Sequence, residues 1–169
     1  MIGAMEIMMM KYLPILALLA LPACLGGSGE STVEGVPDMS AEFGGLLNGV
    51  RMGSGEGQVF YQPVLTTAAQ THADDLLANN TLSIFLSGTT TDMGDTLNSL
   101  GYSWQDIGQM IAQGDFTTQS VLNEWAANGS QGDGGDADEL TFSDYLDFGI
   151  AKAGSGSDAR WVLILTNPS

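Results

Sequence analysis

The chain has 169 residues, enough for one domain with a real core, and sets 20 Asp and Glu against 4 Lys and Arg, a formal net charge of −16. That surface repels phosphate backbones and anionic headgroups, which excludes nucleic-acid binding and leaves only apolar or covalent contact with a membrane. One Cys and one His cannot build a disulfide framework or a Cys/His zinc site within one chain, while 44% hydrophobic residues suit an ordinary folded domain.

Near the amino terminus, "MKYLPILALLALPACLGG" runs from Met10 to Gly27. Lys11 precedes an apolar run, Leu13 to Leu21, interrupted by Pro14. This is the order of a secretory signal peptide, and the run is short for a membrane span. It closes on Leu21-Pro22-Ala23-Cys24, which looks like a bacterial lipobox, in which the Cys is lipidated and becomes the first mature residue. The single Cys of the chain stands at the one position where a lipobox needs it. Met10 reads as the initiator and Met1–Met9 as an extension before it. The expected organisation is a signal peptide over 1–23, lipidated Cys24 with a flexible Gly- and Ser-rich tether over 24–39, and one domain over 40–169. Glu6 and Lys11 cancel in the removed part, so the mature protein keeps the −16. Leu25, not Asp, follows the Cys, so the common inner-membrane retention signal is absent. The expected location is the bacterial envelope outside the cytoplasm, or secretion, with membrane contact through the lipid alone.

Within the domain, Phe43, Leu46, Leu47 and Val50 fall on one face of a helix, with Ser40 as its N-cap. "GSGEG" (53–57) is a loop. The next helix has Pro63 in its first turn and an apolar face of Leu65, Ala68, Ala69, His72, Ala73, Leu76 and Leu77. His72 therefore faces the core. It has no second His or Cys to cooperate with, so a buried His bonded to a carbonyl is expected over a general base or ligand. "NNTLSIFLSGTTT" is a loop with a short extended piece. "DMGDTLNSLG" is a short helix between an Asp92 cap and a Gly101 terminator. "YSWQDIGQMIAQG" is extended. "TTQSVLNEWAANG" is a helix capped by Thr117 or Thr118 that buries Val121, Leu122 and Trp125. "SQGDGGDADEL" is an acidic loop. "YLDFGIAKA" and "RWVLILT" flank "GSGSDA" as an antiparallel hairpin. Mixed helices and locally paired strands give an α+β class.

Few motifs carry chemistry. Asp133, Asp136, Asp138 and Glu139, interleaved with Gly, are oxygen donors of the kind calcium takes, but the EF-hand order is missing and a solvated acidic loop is the expectation. A Ser-His-Asp hydrolase would have to use His72, and no G-x-S-x-G elbow exists. The Gly-rich pieces 25–29, 53–57 and 132–135 lack the strand, spacing and Lys of a phosphate loop.

The ordered run "LLNGVR…QPVLTTAAQTHADDLLANN…LNSLGYSWQDIGQMIA…VLNEWAANG…YLDFGIAKA…RWVLIL" resembles the CAP superfamily over roughly residues 41–166. That superfamily, also called the SCP domain, includes cysteine-rich secretory proteins, venom allergens and plant pathogenesis-related proteins. The likeness is greatest to short bacterial secreted members without disulfides. It implies an α-β-α sandwich with a central antiparallel sheet between helices. It also implies a cleft in which two His and two Glu can hold a divalent metal. Where members read Gly-Glu-Asn-Ile-Ala, this chain reads Gly108-Gln109-Met110-Ile111-Ala112. Ile84 takes the place of the first His. The counterpart of the second His is open between Gln131 and Asp136, and Asp147 stands for the second Glu. Ile84 has no lone pair, and Gln109 is a poor ligand and no base near neutral pH. The tetrad is thus expected to be lost, with no metal and no cofactor. Ile84, Phe85, Leu86 and Met110 are expected to make the cleft apolar.

The leading expectation is a non-catalytic, lipid-anchored binding module for an apolar ligand, an envelope ligand or a protein partner. A metal-dependent or peptidase-like hydrolase with a rearranged site stands second, and a calcium-responsive adhesion protein third.

Overall fold

A computed structural model describes residues 38–128 and 136–169. The signal peptide, Cys24, Gln131 and Asp133 lie outside the described residues, as does the tether up to residue 37. The first helix, α1, spans Asp38–Gly53 and so starts before the expected boundary at residue 40. Ser40 is consequently inside the helix, buried with no hydrogen-bond partner for its hydroxyl among the described residues, and is not the N-cap. Then follow β1 (Phe60–Tyr61), α2 (Pro63–Ala78), α3 (Met93–Ser99), β2 (Trp104–Gln113), α4 (Thr118–Ala127), α5 (Asp136–Leu140), β3 (Asp147–Ala153) and β4 (Arg160–Pro168). The strands form one sheet in the order β1-β3-β4-β2. It is antiparallel except at the two-residue edge strand β1, which runs parallel to β3.

Helices cover both faces, giving the expected α+β sandwich. On one face α2 and α3 bury Leu65, Ala68, Ala69, Ala73, Leu76, Met93 and Leu97 against Ala151, Val162 and Ile164. On the other, α1, α4 and α5 bury Phe43, Leu47, Val121, Leu122, Trp125 and Leu140 against Met110, Ile150, Leu163 and Leu165. This explains "RWVLILT": β4 lies inside the sheet with both sides covered, so Trp161 to Leu165 is continuously apolar rather than alternating. α2 approaches β3 so closely that a Cβ on Gly149 would lie 2.4 Å from the Leu65 carbonyl carbon. Only glycine admits that contact.

Local signals set the helix ends. The Asp92 carboxylate accepts from the Asp95 amide (2.9 Å), and Gly101 ends the α3 turn at φ +76°. Thr117 and Ser120 cap α4 reciprocally. The expected extended piece within "NNTLSIFLSGTTT" does not form a strand: this stretch is turns, bends and irregular backbone. Asp136–Leu140, read as acidic loop, is a helical turn that fixes Leu140 in the core.

Two buried arginines tie the chain together. Arg51 is 0% exposed and donates to the carbonyls of Gly57 (2.8 Å), Leu140 (2.9 Å), Phe142 (3.0 Å) and Tyr145 (3.3 Å). It pins the segment before β3 to the end of α1. Arg160 donates to the Asp158 carbonyl (2.7 Å), Asn80 Oδ1 (2.8 Å) and the Thr81 carbonyl (3.4 Å), fastening the chain after α2 to the β3–β4 turn. Among the described residues this leaves Lys152 as the basic side chain nearest solvent, its ammonium 4.7 Å above the Trp161 ring. The acidic surface is therefore almost unopposed.

Candidate binding cleft

The residues 80–87 after α2 are held by their backbone. Arg160 reaches the Thr81 carbonyl, and His72 Nε2 donates to the Ser83 carbonyl at 2.7 Å. Asp75 Oδ2 accepts from the Ser87 amide at 2.8 Å. His72 is 2% exposed, as expected of a structural histidine, and its bond assigns the ring proton to Nε2. With the backbone fastened, the apolar side chains point outward: Leu82, Ile84 and Phe85 are all exposed, Ile84 by 56%.

Ile84 forms one wall of a cleft of about 450 Å³. The start of α3 (Asp92, Met93, Gly94) and the first part of β2 (Trp104 to Ile107, and Gln109) complete it. Trp104 owes its place to Gly94, where a Cβ would lie 2.6 Å from the indole ring. The cleft thus mixes apolar side chains with two exposed carboxylates, Asp92 and Asp106, and no basic side chain lines it among the described residues. The Gln109 amide nitrogen is sealed from solvent and has no hydrogen-bond partner among the described residues.

The expected site residues separate. Ile84 and Gln109 meet in this cleft. Met110 does not line it: strand alternation turns Met110 to the opposite face, where it is wholly buried in the core. Phe85 and Leu86 stay outside the lining as well. Asp147 is buried at the start of β3, where its Oδ2 accepts from the Tyr102 hydroxyl at 2.8 Å. That hydroxyl is also 2.8 Å from Thr166 Oγ1. Burial first, then the Asp147 hydrogen bond and charge, pushes the Tyr102 phenol up to about 12 against the lowering effect of Thr166. Asp147 is thus engaged by Tyr102 and does not line the cleft, a partnership that the place of Tyr102 in "GYSW" gives no hint of.

Asp136, the other counterpart weighed for the second His, does not line the cleft. It begins α5, which packs on the face of α1 and α4. There burial, then Glu139 and Glu124, hold its carboxyl above the usual range. Asp138 and Glu139 line a separate hollow of about 400 Å³ with Asp106, Ile107, Phe142 and Tyr145. The Glu139 carboxylate accepts from the Tyr145 hydroxyl, which gives it a protein partner rather than a free donor face. Asp136, Asp138 and Glu139 do not converge as cation ligands: among the described residues no group of three or more His, Cys, Asp or Glu could hold a metal ion.

The architecture has counterparts among solved structures. An outer surface protein of Borrelia burgdorferi superposes with a TM-score of 0.66 at 17% identity, over 78% of this chain and 93% of that one. An extracellular protein containing an SCP domain from Bacillus anthracis gives 0.61 at 19% identity, over 75% of this chain and 39% of that one. A cysteine-rich secretory protein of Staphylococcus aureus gives 0.59 at 14%, over 80% and 40%. The fold is that of the CAP superfamily. The likeness is one of fold, and this chain spans about two fifths of the Bacillus and Staphylococcus proteins. No protein-family model matches the sequence. Nor does any curated protein.

The CAP resemblance implies a divalent metal held by four side chains, and the residues present do not fit one. Ile84 offers no donor, Gln109 offers a neutral amide, and Asp147 is buried outside the cleft lining with its Oδ2 engaged by Tyr102.

Proposed function

We propose that this protein is an extracytoplasmic lipoprotein whose CAP-fold domain is a non-catalytic binding module. Its cleft takes an apolar ligand or an apolar segment of an envelope partner. The observation that carries the reading is the cleft wall itself: Ile84 and Gln109 stand together beside Trp104, Met93 and Ile107, and the described residues lining it include two exposed carboxylates but no His, Ser, Thr, Cys or Lys and no metal-ligating cluster. A cleft of about 450 Å³ with apolar walls and a few polar groups suits a small ligand or side-chain anchor better than chemistry. The lipobox at Leu21–Cys24 supports anchoring at a membrane by covalent lipid, a form of attachment compatible with a charge of −16. The outer surface and extracellular descriptions of the fold relatives agree with that location.

Two substitutions test the two halves. Cys24→Ser should move the protein from the membrane to the soluble fraction, and unchanged membrane association would end the lipoprotein reading. Ile84→Asp should abolish any thermal stabilisation by apolar envelope extracts without lowering the melting temperature, since Ile84 is mostly exposed. Stabilisation that survives Ile84→Asp would place binding elsewhere.

A further inference from the structure

We propose that the outer edge of β2 is a docking surface for an extended, basic segment of a partner protein, which joins the sheet as an added strand with apolar and cationic side chains in alternation. This goes beyond the cleft reading and does not rest on it, since it stands on the backbone of β2 and on the charges beside it. The sheet order β1-β3-β4-β2 gives β2 a neighbouring strand on one side only among the described residues. The register shows which of its backbone groups face out. The Gly114 N–H donates to the Ala159 carbonyl at 3.1 Å, in line with the Ala112–Trp161 pairing before it. Bonded pairs in an antiparallel ladder recur at every second residue. Gly108, Met110 and Ala112 therefore bond to β4, and Ile107, Gln109 and Ile111 turn their N–H and C=O groups away from it. Burial follows the same alternation: Gly108, Met110 and Ala112 are buried, whereas Ile107, Gln109 and Ile111 are half-buried. Such an edge is a template for another strand. Pro and Lys, which commonly blunt edges, are absent from Trp104–Gln113, and the register shift is confined to its start, between Trp104 and Asp106.

The two sides of the edge set the chemistry of the partner. On the α2 and α3 side, Ile107 and Ile111 pack on the core, and exposed Leu82 shares a hollow with Ile111. On the α4 and α5 side, Asp106, Asp138 and Glu139 line one hollow, and Glu124 of α4, with Asp115 just past β2, lines the hollow that holds Leu82. That hollow touches both Ile111 and Ala112, which pack on opposite faces of the sheet, so it passes around the edge. No Lys or Arg lines either hollow among the described residues. A strand laid along β2 sends alternate side chains to the two sides, apolar ones toward Leu82 and Ile111 and cationic ones toward the carboxylates. A second copy of the chain, or an acidic segment, would set carboxylate against carboxylate.

The test is hydrogen exchange of the backbone amides of the purified protein, with and without the peptide acetyl-Lys-Val-Lys-Val-Lys-Val-Lys-amide. In the free protein the Ile107, Gln109 and Ile111 amides should exchange at least about ten-fold faster than those of Gly108, Met110 and Ala112, and the peptide should slow them at least about ten-fold. Its affinity should fall at least about three-fold between about 50 and about 300 mM salt, and the same peptide with Glu for Lys should not bind. N-methylation separates strand addition from charge alone. N–H groups alternate along a strand, so of two peptides, one methylated at every Val nitrogen and one at every Lys nitrogen, one should lose at least about ten-fold in affinity and the other keep it. Equal affinity of the two methylated peptides, or no slowing by the Lys-Val peptide, would overturn the proposal. Outward amides that are already slow in the free protein would overturn it as well, showing an edge covered by a second copy if sedimentation finds a dimer and by the chain itself if it finds a monomer. None of these results bears on the cleft, which Ile84→Asp tests separately.

Discussion

Arg51 and Gln109 are both polar side chains in apolar surroundings, on opposite faces of the same sheet, and they differ in what they hold. Arg51 has four backbone carbonyls within 3.3 Å and no solvent exposure. Gln109 has a sealed amide nitrogen and nothing to give it to among the described residues. A satisfied buried group fixes the fold, whereas an unsatisfied one at the edge of a cleft is free to serve a ligand. Ser40 in α1 and Thr118 and Trp125 in α4 also bury polar side-chain atoms without partners among the described residues, so what sets Gln109 apart is that it lines the cleft where we propose that recognition occurs.

The largest effect that sharpens this contrast belongs to Arg51. Arg51→Met fills similar volume but strands carbonyls of residues 57, 140, 142 and 145, and should cost about 2–4 kcal/mol in urea unfolding. A loss under about 1 kcal/mol would mean that water replaces the guanidinium at little cost. Gly149→Ala should come next, at about 1–3 kcal/mol, because the new methyl meets Leu65 and Thr66 backbone rather than a yielding side chain. A melting temperature unchanged by that substitution would show that α2 can slide on the sheet.

Tyr102 gives a smaller effect with a definite pH window. Its phenol ionises near 10 unfolded and about 12 folded, so the folded state keeps the proton longer. The stabilisation is fully present below pH 10 and is lost as pH rises toward 12. Unfolding midpoints of the wild type should therefore fall more steeply over that window than those of Tyr102→Phe. Equal slopes would show that the Tyr102–Asp147 contact does not survive in solution. The smallest effect is predicted for Gln109→Leu, a change in stability within about 0.5 kcal/mol, since no hydrogen bond is lost. A loss like that of Arg51→Met would make Gln109 a structural residue and erase the contrast.

What the sequence disclosed follows from where the physics is local. The face of α2, from Leu65 to Leu76 with His72 inside it, was legible because periodicity alone defines a buried stripe. Asp92, Thr117 and Gly101 were legible as caps and stops for the same reason. "DADEL" was not: five residues carry too little periodicity to stand out, and the neighbouring glycines mark a loop. β1, two residues long, exists only because β3 is there to pair with it. In the cleft, Ile84 and Gln109 were found through the resemblance, but Met110 was assigned to it against the two-residue alternation of a strand. Tyr102 lies 45 residues before Asp147, and no pattern in either segment announces that one covers the other. Long-range polar partnerships of this kind, Arg51 with the residues before β3 included, are written in the tertiary structure alone.

The central claim, that this CAP fold carries a cleft for binding and not a metal centre, is tested most directly by elemental analysis of the purified protein, followed by thermal shift with added zinc. The account predicts less than stoichiometric zinc as isolated and no specific stabilisation on titration, because Ile84, Gln109 and an Asp147 that lies outside the cleft lining leave the ion dependent on water. One zinc ion per chain, lost on Asp147→Ala, would contradict it.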